Sequence, residues 1–123
     1  MTITKKDAPL IGVVGPCSAG KTTLISALES HGVRARHIAQ EHSYVKEMWK
    51  RFTNPDILIF LDVSYPVAQE RRQLNWNEDE YAQQQKRLAH ARSHTDFYLL
   101  TDGMSPDDVL QKVMGFLKEL SDA

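Results

Sequence analysis

The sequence predicts an α/β fold, a three-layer α/β/α domain built on a short parallel sheet of about four strands. Short apolar runs alternate along the chain with segments whose apolar residues recur at helical spacing. The first apolar run leads into a glycine-rich loop, as in sheets that bind phosphates at their carboxyl edge. The length of 123 residues suits a single domain, for which we expect a flexible tail over residues 1–8.

The first strand and the first helix flank the glycine-rich loop. Apolar residues from 10 to 14 predict a strand that is buried on both faces and ends at Gly15. The next apolar residues fall on one stripe of a helix predicted over residues 21–30, and Gly32 supplies a left-handed residue that ends it. Residues 33–40, in which arginines alternate with other side chains, predict a weaker second strand.

The middle of the chain contains the clearest strand. Apolar residues at i, i+1, i+4, i+5 and i+8 predict a one-sided helix over residues 43–52, which an Asn-Pro pair ends. The branched residues of 57–61 predict a strand in the middle of the sheet that ends at Asp62. A serine and a proline at 64–66 predict the start of a helix that continues to about residue 74.

The last third contains a polar helix, a strand and a closing helix. Asn77 followed by Glu80 is a capping-box arrangement, so we expect a polar, lid-like helical segment over residues 75–94. Residues 97–100 predict the last strand. A Ser-Pro pair at 105–106, followed by an apolar stripe, predicts the final helix.

Composition and charge exclude several classes of protein. Fifteen basic and sixteen acidic side chains give a formal charge of −1, which creates no overall field for nucleic acid or an anionic membrane. The single Cys17 excludes an internal disulfide framework, and the sequence contains no apolar stretch of membrane-spanning length. We therefore expect a cytoplasmic protein whose anion site is local, with neither membrane nor nucleic acid as partner.

The glycine-rich loop has the spacing Gly, four residues, Gly-Lys-Thr, which is typical of loops that bind a nucleoside triphosphate. Gly15 allows a sharp turn and Gly20 a close approach, so that backbone amides and a helix N-terminus converge on the phosphates. Lys21 adds positive charge, and the Thr22 hydroxyl suits a Mg²⁺ ligand. The predicted phosphate-binding residues are Gly15, Pro16, Cys17, Ser18, Ala19, Gly20, Lys21, Thr22 and Thr23.

Phosphoryl transfer also needs a carboxylate near Mg²⁺ and positive charge on the transferred group. Two carboxylates qualify: Glu41, after the weaker strand, and Asp62, at the end of the central strand. We prefer Glu41 as base or metal partner and keep Asp62 as a second Mg²⁺ candidate. Lys21, with Arg71 and Arg87 from the helices around the lid, is predicted to stabilise the transferred group.

Other reactive side chains receive weaker interpretations. A helix N-terminus and Lys21 favour the thiolate of Cys17, but nothing near it in sequence resembles a base or a resolving thiol, so we expect its amide to matter more. The five histidines show no pairing that indicates metal ligation. Trp49 is expected to be a packing residue, and Trp76 either packs or stacks on a base.

Three segments together resemble the P-loop nucleoside and nucleotide kinases, the group that includes thymidylate kinase. The segments are residues 13–23, residues 55–63 together with Val67-Ala68 and Glu70-Arg71-Arg72, and residues 98–109. The resemblance implies a P-loop NTPase fold, ATP and Mg²⁺ as cofactors, and the loop of Asp102, Gly103 and Met104 against the adenine. The chain is shorter than those kinases, and Glu41 lacks the arginine that follows the acidic residue there.

Two functions fit these observations best; a kinase that acts on nucleic acid is a third option, which the balanced charge and the lack of an aromatic-basic stripe disfavour. The first is a small Mg²⁺-dependent phosphotransferase that acts on a nucleoside, a nucleotide or another small hydroxyl or phosphate acceptor. The second is a nucleotide-binding module or slow ATPase that signals to a protein partner through the segment 43–52. The sequence contains no Asn-Lys-x-Asp guanine-reading motif, so adenine is the expected base. A second copy of the chain, forming a homodimer, is a candidate partner.

Overall fold

The computed structural model describes residues 8–72 and 77–122. Its strands are β1 (Ile11–Val14), β2 (Ala35–His37), β3 (Ile57–Asp62) and β4 (Phe97–Leu100). Its α-helices are α1 (Lys21–Ser30), α2 (Tyr65–Arg72), α3 (Glu78–Ser93) and α4 (Pro106–Asp122). A 3₁₀ helix covers Gln40–His42, and a π-helix covers Trp49–Thr53.

The four strands form one parallel sheet in the order β2-β1-β3-β4. This confirms the predicted α/β fold with a short parallel sheet. The chain leaves β1 towards β2 on one side and returns to β3 on the other, so the order reverses next to β1. Ligands of open parallel sheets bind at the carboxyl ends of the strands beside such a reversal, which is where the glycine-rich loop lies.

Helices pack on both faces of the sheet because successive residues of a buried strand point to opposite sides. One core joins Val13 and Ile59 to α1 and α4. The other joins Val14 and Phe60 to α3 and to Trp49, which is buried as the sequence predicts. Strands β1 and β3 are apolar on both faces for this reason, and they hold the glycine-rich loop on a rigid base.

The prediction of an α-helix over residues 43–52 is wrong. A turn precedes a π-helix there, and the side chains of Tyr44 and Phe52 are 89% and 80% exposed. The cause is the buried side chain of Gln40, whose Nε2 donates to the carbonyl of Val45 at 2.8 Å and whose Oε1 accepts from the amide of Trp49 at 2.9 Å. These two backbone groups would bond each other in an α-helix, so the carboxamide replaces a helical turn.

The remaining elements agree in kind with their predictions, with some shifts in length. Strand β2 is shorter than the predicted 33–40. Helix α3 begins at the predicted cap, where the side chain of Asn77 accepts from the amide of Glu80 at 2.9 Å. Residues 1–7 of the expected 1–8 tail, the end of the helix at 74 and the start of the lid with Trp76 lie outside the described residues.

Membrane insertion was not expected from the sequence. Among the helices of residues 8–72 and 77–122, none combines the length and the apolar character that a bilayer-crossing segment needs.

Candidate functional site

The glycine-rich loop between β1 and α1 has backbone conformations that specific residues require. Gly15 has φ 153°, and a Cβ atom there would overlap the carbonyl oxygen of Leu61. Gly20 has φ 97°, and Ser18 has φ 72°, a left-handed conformation that is rare outside glycine. A loop that keeps a serine in this region is held in place by its surroundings, which is common at ligand sites.

Helix α1 starts at the end of this loop without a cap. Among the described residues, no side chain bonds the helix at its N-cap, Gly20, and the first turn contains no acidic residue. The N–H groups of a first turn have no partner within the helix, and the helix dipole makes this end electropositive. The start of α1 is therefore suited to an anion that accepts hydrogen bonds from several backbone amides.

Lys21 is buried against the inner side of the loop. Its Nζ donates to the carbonyls of Gly15 at 2.6 Å and Pro16 at 3.0 Å, and lies 2.8 Å from Oε2 of Glu41. The side chains of Lys21 and Glu41 are 6% and 3% exposed. Glu41 reaches the lysine from the 3₁₀ helix that follows β2, so the first two crossovers of the sheet bring the two charges together.

Two polar atoms at this place have no partner among the described residues. In the described part of the chain, Oγ of Ser18 and Oε1 of Glu41 are the only buried side-chain oxygen or nitrogen atoms without a hydrogen bond. Buried polar atoms are nearly always bonded, so each exception needs an explanation such as a ligand, an ion or water. That both exceptions lie at the loop points to a binding site there.

Two cavities open on either side of the loop and share Ser18, Gly20 and Thr23 in their walls. The first, of about 220 Å³, is mainly apolar and continues towards α4; it also contains Ala19, Leu24, Arg71, Thr101, Met104, Pro106 and Val109. The second, of about 330 Å³, is polar; it also contains Cys17, Lys21, Thr22, His37, Glu41 and His42.

Arg71 lies on the first cavity, where it contacts the glycine-rich loop. Its guanidinium donates to the carbonyl of Ser18 at 2.9 Å and to the hydroxyl and carbonyl of Thr101 at 3.1 and 2.8 Å. It thereby joins α2 to the loop and to the segment after β4. The guanidinium forms a wall of the apolar cavity, whereas Lys21 faces the polar one.

Of the loop predicted to bind the base, Met104 also lines the first cavity. Asp102 and Gly103 instead stabilise the conformation of that loop. Oδ1 of Asp102 accepts from the amide of Ser64 at 3.0 Å, and Gly103 takes the left-handed conformation, φ 71°, of the turn. Of the three residues, Met104 is thus the one that offers a side chain to the cavity.

Of the two candidate carboxylates, the structure brings Glu41 to the loop. Asp62 is not among the described residues that line either cavity. Its Oδ2 accepts from the Tyr98 hydroxyl at 2.6 Å, and its Oδ1 accepts from Nε2 of Gln85 at 3.0 Å and from the amide of Val63 at 2.9 Å. Burial, reinforced by the hydrogen bond to Asp62, raises the pKa of Tyr98 to about 12.

Replacing Tyr98 with phenylalanine should destabilise the fold by about 1–2 kcal/mol at neutral pH, because Asp62 loses a charge-assisted hydrogen bond. The raised pKa means that the folded state holds this proton more tightly than the unfolded state. The stabilisation is therefore complete below pH 10, the usual pKa, and is lost as the pH rises towards 12. Urea unfolding at pH 7 and at pH 11 measures both effects.

The matched control for this prediction is Tyr44→Phe, because that ring is 89% exposed. Its unfolding free energy should remain within about 0.5 kcal/mol of the wild type. Equal stability of Tyr98→Phe and Tyr44→Phe at pH 7 would contradict the role given to the Tyr98 hydroxyl.

Gln84 and His42 are functional candidates that sequence reasoning missed. Oε1 of Gln84 accepts from the amide of Cys17 at 2.9 Å, its Nε2 donates to the sulfur at 3.2 Å, and Nε2 of His42 lies 3.6 Å from that sulfur. An imidazole therefore lies near Cys17 in space, although no base lies near it in sequence. No local pattern could reveal these contacts, since Gln84 is 67 residues and His42 is 25 residues from Cys17.

Arg87 lies near Glu41 and outside the polar cavity. Its guanidinium donates to the carbonyl of Glu41 at 3.2 Å and packs over the ring of Tyr44, with Cζ 4.6 Å from the ring centroid. Both residues line a third, open cavity of about 290 Å³ with Ser43, Lys46, Gln83 and Lys86. Three cations and an aromatic ring thus line this cavity, and Arg87 connects it to the backbone of Glu41.

His37 is a further titratable residue in the polar cavity. Burial and the neighbouring charge of Lys21 lower the pKa of His37, so its imidazole is neutral at physiological pH. The cavity therefore has the ammonium of Lys21 as its main fixed positive charge.

No protein-family model matches the sequence, and no curated protein has a significant match to it. Any functional assignment therefore depends on the geometry of the site.

Proposed function

We propose that this chain binds ATP with Mg²⁺ and transfers the γ-phosphoryl group to a small acceptor, a nucleoside, a nucleotide or another hydroxyl or phosphate compound. The observation that supports this proposal best is the uncapped start of α1, with Lys21 beside it and a cavity on each side. The phosphates of ATP would lie along the loop, with the base in the apolar cavity and the γ-phosphate in the polar cavity.

The apolar cavity suits the base. A purine needs flat apolar contact with a few polar groups, and this cavity offers the guanidinium of Arg71 on one wall and Met104 and Pro106 on another. The phosphates would then lie along residues 15–22, where Ser18 Oγ has no partner in the described part of the chain. This arrangement follows the P-loop NTPase fold that the resemblance implies, and it gives Arg71 a role in base binding.

The polar cavity has oxygen donors for Mg²⁺. The hydroxyl of Thr22 and the carboxylate of Glu41 both line it, and Oε1 of Glu41 has no hydrogen bond to the described residues. Mg²⁺ prefers oxygen ligands and is commonly held by one or two side chains together with phosphates. When bound, Mg²⁺ would supply charge neutralisation to the phosphates; Thr22 and Glu41 would hold it.

The chain's own residues account for the remaining chemistry. Lys21 exchanges the carbonyls of Gly15 and Pro16 for phosphate oxygens and so places its charge where charge develops. The acceptor hydroxyl forms the new P–O bond, the bond from the γ-phosphorus to the β,γ-bridging oxygen breaks, and ADP leaves with that oxygen. Glu41 accepts the proton of the hydroxyl.

The third cavity suits an anionic acceptor. Lys46, Lys86 and Arg87 surround it, and the exposed ring of Tyr44 offers a stacking surface. An acceptor with both a phosphate and a flat ring, such as a nucleoside monophosphate, would use both features. It would approach the polar cavity from the side on which Arg87 contacts the backbone of Glu41.

Calorimetry with the full chain tests the proposal directly. ATP titrated in the presence of Mg²⁺ should bind at one site, with a dissociation constant on the order of 1–100 μM, in the range typical of enzyme substrates. GTP should bind less tightly, because the site has no guanine-reading motif. Absence of binding by ATP, ADP and GTP would overturn the proposal.

A second measurement separates the kinase from a signalling module. ADP production should rise at least about tenfold when a suitable nucleoside or nucleotide is added, and the acceptor should gain one phosphate. ATP binding without stimulation by any acceptor would overturn the kinase and favour the module.

A further inference from the structure

Three metal-binding side chains meet at the mouth of the glycine-rich loop. The sulfur of Cys17, one carboxylate oxygen of Glu41 and one imidazole nitrogen of His42 all lie within 4.8 Å of one another. Cys17 belongs to the loop, and the other two residues belong to the 3₁₀ helix after β2. A thiol, an imidazole and a carboxylate are the ligand set of zinc, whereas Mg²⁺ takes oxygen ligands.

The separations fit a tetrahedral ion. Ordinary zinc bond lengths at tetrahedral angles place a sulfur and a nitrogen ligand about 3.6 Å apart, and a nitrogen and an oxygen ligand about 3.4 Å apart. Sγ of Cys17 lies 3.6 Å from Nε2 of His42, and that nitrogen lies 3.8 Å from Oε2 of Glu41. These two separations match two edges of a zinc tetrahedron, and the third pair, the sulfur and the carboxylate oxygen, lies within 4.8 Å.

Independent observations indicate a ligand here. The side chain of Glu41 is 3% exposed, and its Oε1 is one of the two buried polar atoms without a partner among the described residues. The carboxylate therefore has room for a further ligand: Oε2 lies 3.8 Å from Nε2 of His42 and also contacts Lys21, while Oε1 has no partner among the described residues. Gln84 donates its Nε2 to the sulfur of Cys17 at 3.2 Å, as an outer-shell group does when it orients a metal-bound thiolate.

We propose that Cys17, Glu41 and His42 form a zinc site at the mouth of the loop. Binding replaces the thiol proton of Cys17 with the metal and releases that proton to solvent, while His42 binds as neutral imidazole through Nε2. The fourth position faces the polar cavity and is left for water or an anionic oxygen. The site shares Glu41 and the polar cavity with the proposed phosphoryl transfer, so zinc and the Mg²⁺ complex of ATP would compete for it, but zinc binding itself requires only these three side chains.

Lys21 limits the strength of this site. Its Nζ lies 2.8 Å from Oε2 of Glu41, so an ammonium adjoins the position of the dication and opposes it. The site should bind more weakly than the closed four-ligand sites that hold structural zinc. A reversible site of this kind would let the zinc concentration control access to the loop.

Cobalt titration of the full chain under reducing conditions tests the proposal. Co²⁺ substitutes for zinc, and a thiolate ligand gives it an intense near-ultraviolet charge-transfer band. The wild type should develop this band with one equivalent of Co²⁺, release one proton for each thiol deprotonated, and lose the band when Zn²⁺ is added. No band, or a band that Zn²⁺ leaves in place, would overturn the proposal.

Two variants and a control test Cys17 and His42 as ligands. Cys17→Ser should abolish the band, and His42→Ala should weaken cobalt binding by about 10- to 100-fold. His31→Ala is the matched control, because that exposed histidine lies beyond the end of α1 and should leave the titration unchanged. Circular dichroism checks that each variant is folded. A band that survives in Cys17→Ser or is unchanged in His42→Ala would overturn the assignment.

The cobalt titration and the calorimetric test of ATP binding can refute their proposals independently of each other. A missing cobalt band in a protein that binds ATP overturns the zinc site alone. A band in a protein that does not bind ATP overturns the proposed function alone.

Discussion

Replacing Lys21 with methionine should weaken ATP binding by at least about 100-fold, which corresponds to one or two charge-assisted hydrogen bonds to phosphate. The same change should lower the unfolding free energy by roughly 3–5 kcal/mol, because Glu41 would remain buried with its charge unpaired. Calorimetry and urea unfolding measure the two effects on the same preparation.

The double variant Lys21→Met with Glu41→Gln separates these effects. Removing both charges should restore most of the stability, because no unpaired charge remains, while ATP binding should stay weak. Lys118→Met, an exposed lysine of α4, is the matched control and should leave both quantities unchanged. Wild-type affinity for ATP in the Lys21 variant would exclude the loop as the phosphate site.

Replacing Gly15 with alanine should cost more than about 4 kcal/mol of stability, among the largest effects that a single substitution produces. The new Cβ would overlap the carbonyl oxygen of Leu61 in the neighbouring strand β3, and backbone cannot move aside there without breaking the sheet. The positive φ of 153° adds strain of its own. Thermal unfolding followed by circular dichroism measures the loss.

Two other glycines provide controls that separate overlap from strain. Gly20 also has a positive φ but faces open space, so Gly20→Ala should cost only about 1–2 kcal/mol. Gly115 lies within α4 with open space around it, and Gly115→Ala should stabilise by about 0.5–1 kcal/mol. A Gly15 variant as stable as the Gly20 variant would refute the close contact with Leu61.

The sequence was sufficient to predict the parts of the fold whose signals are local. The loop motif, the branched run of β3 and the cap at Asn77 each depend on neighbouring residues, and all three have the predicted structure. The segment 43–52 failed because a distant group intervened. Gln40 bonds the backbone of Val45 and Trp49, and no propensity of the segment itself reports a buried side chain that competes for its helical bonds.

The same distinction applies to the candidate site. The spacing of the motif predicts Lys21 and Thr22 as phosphate and Mg²⁺ ligands, and the strand before Glu41 predicts it as base or metal partner; the structure brings all three to the polar cavity. The placing of Arg71 on the apolar cavity, and the contact of Cys17 with His42, depend on how separate crossovers meet. Such contacts need the three-dimensional arrangement, because no sequence period connects them.

The contact between Gln84 and Cys17 has a consequence for spectroscopy. Gln84 ties α3 to the glycine-rich loop, and a turn and a half further along the same helix His90 Nδ1 accepts from the indole Nε1 of Trp49 at 3.1 Å. Imidazoles quench indole emission according to their distance and charge. The chain thus contains a built-in fluorophore, coupled through one helix to Cys17, whose emission would follow any rearrangement of the loop without an added dye.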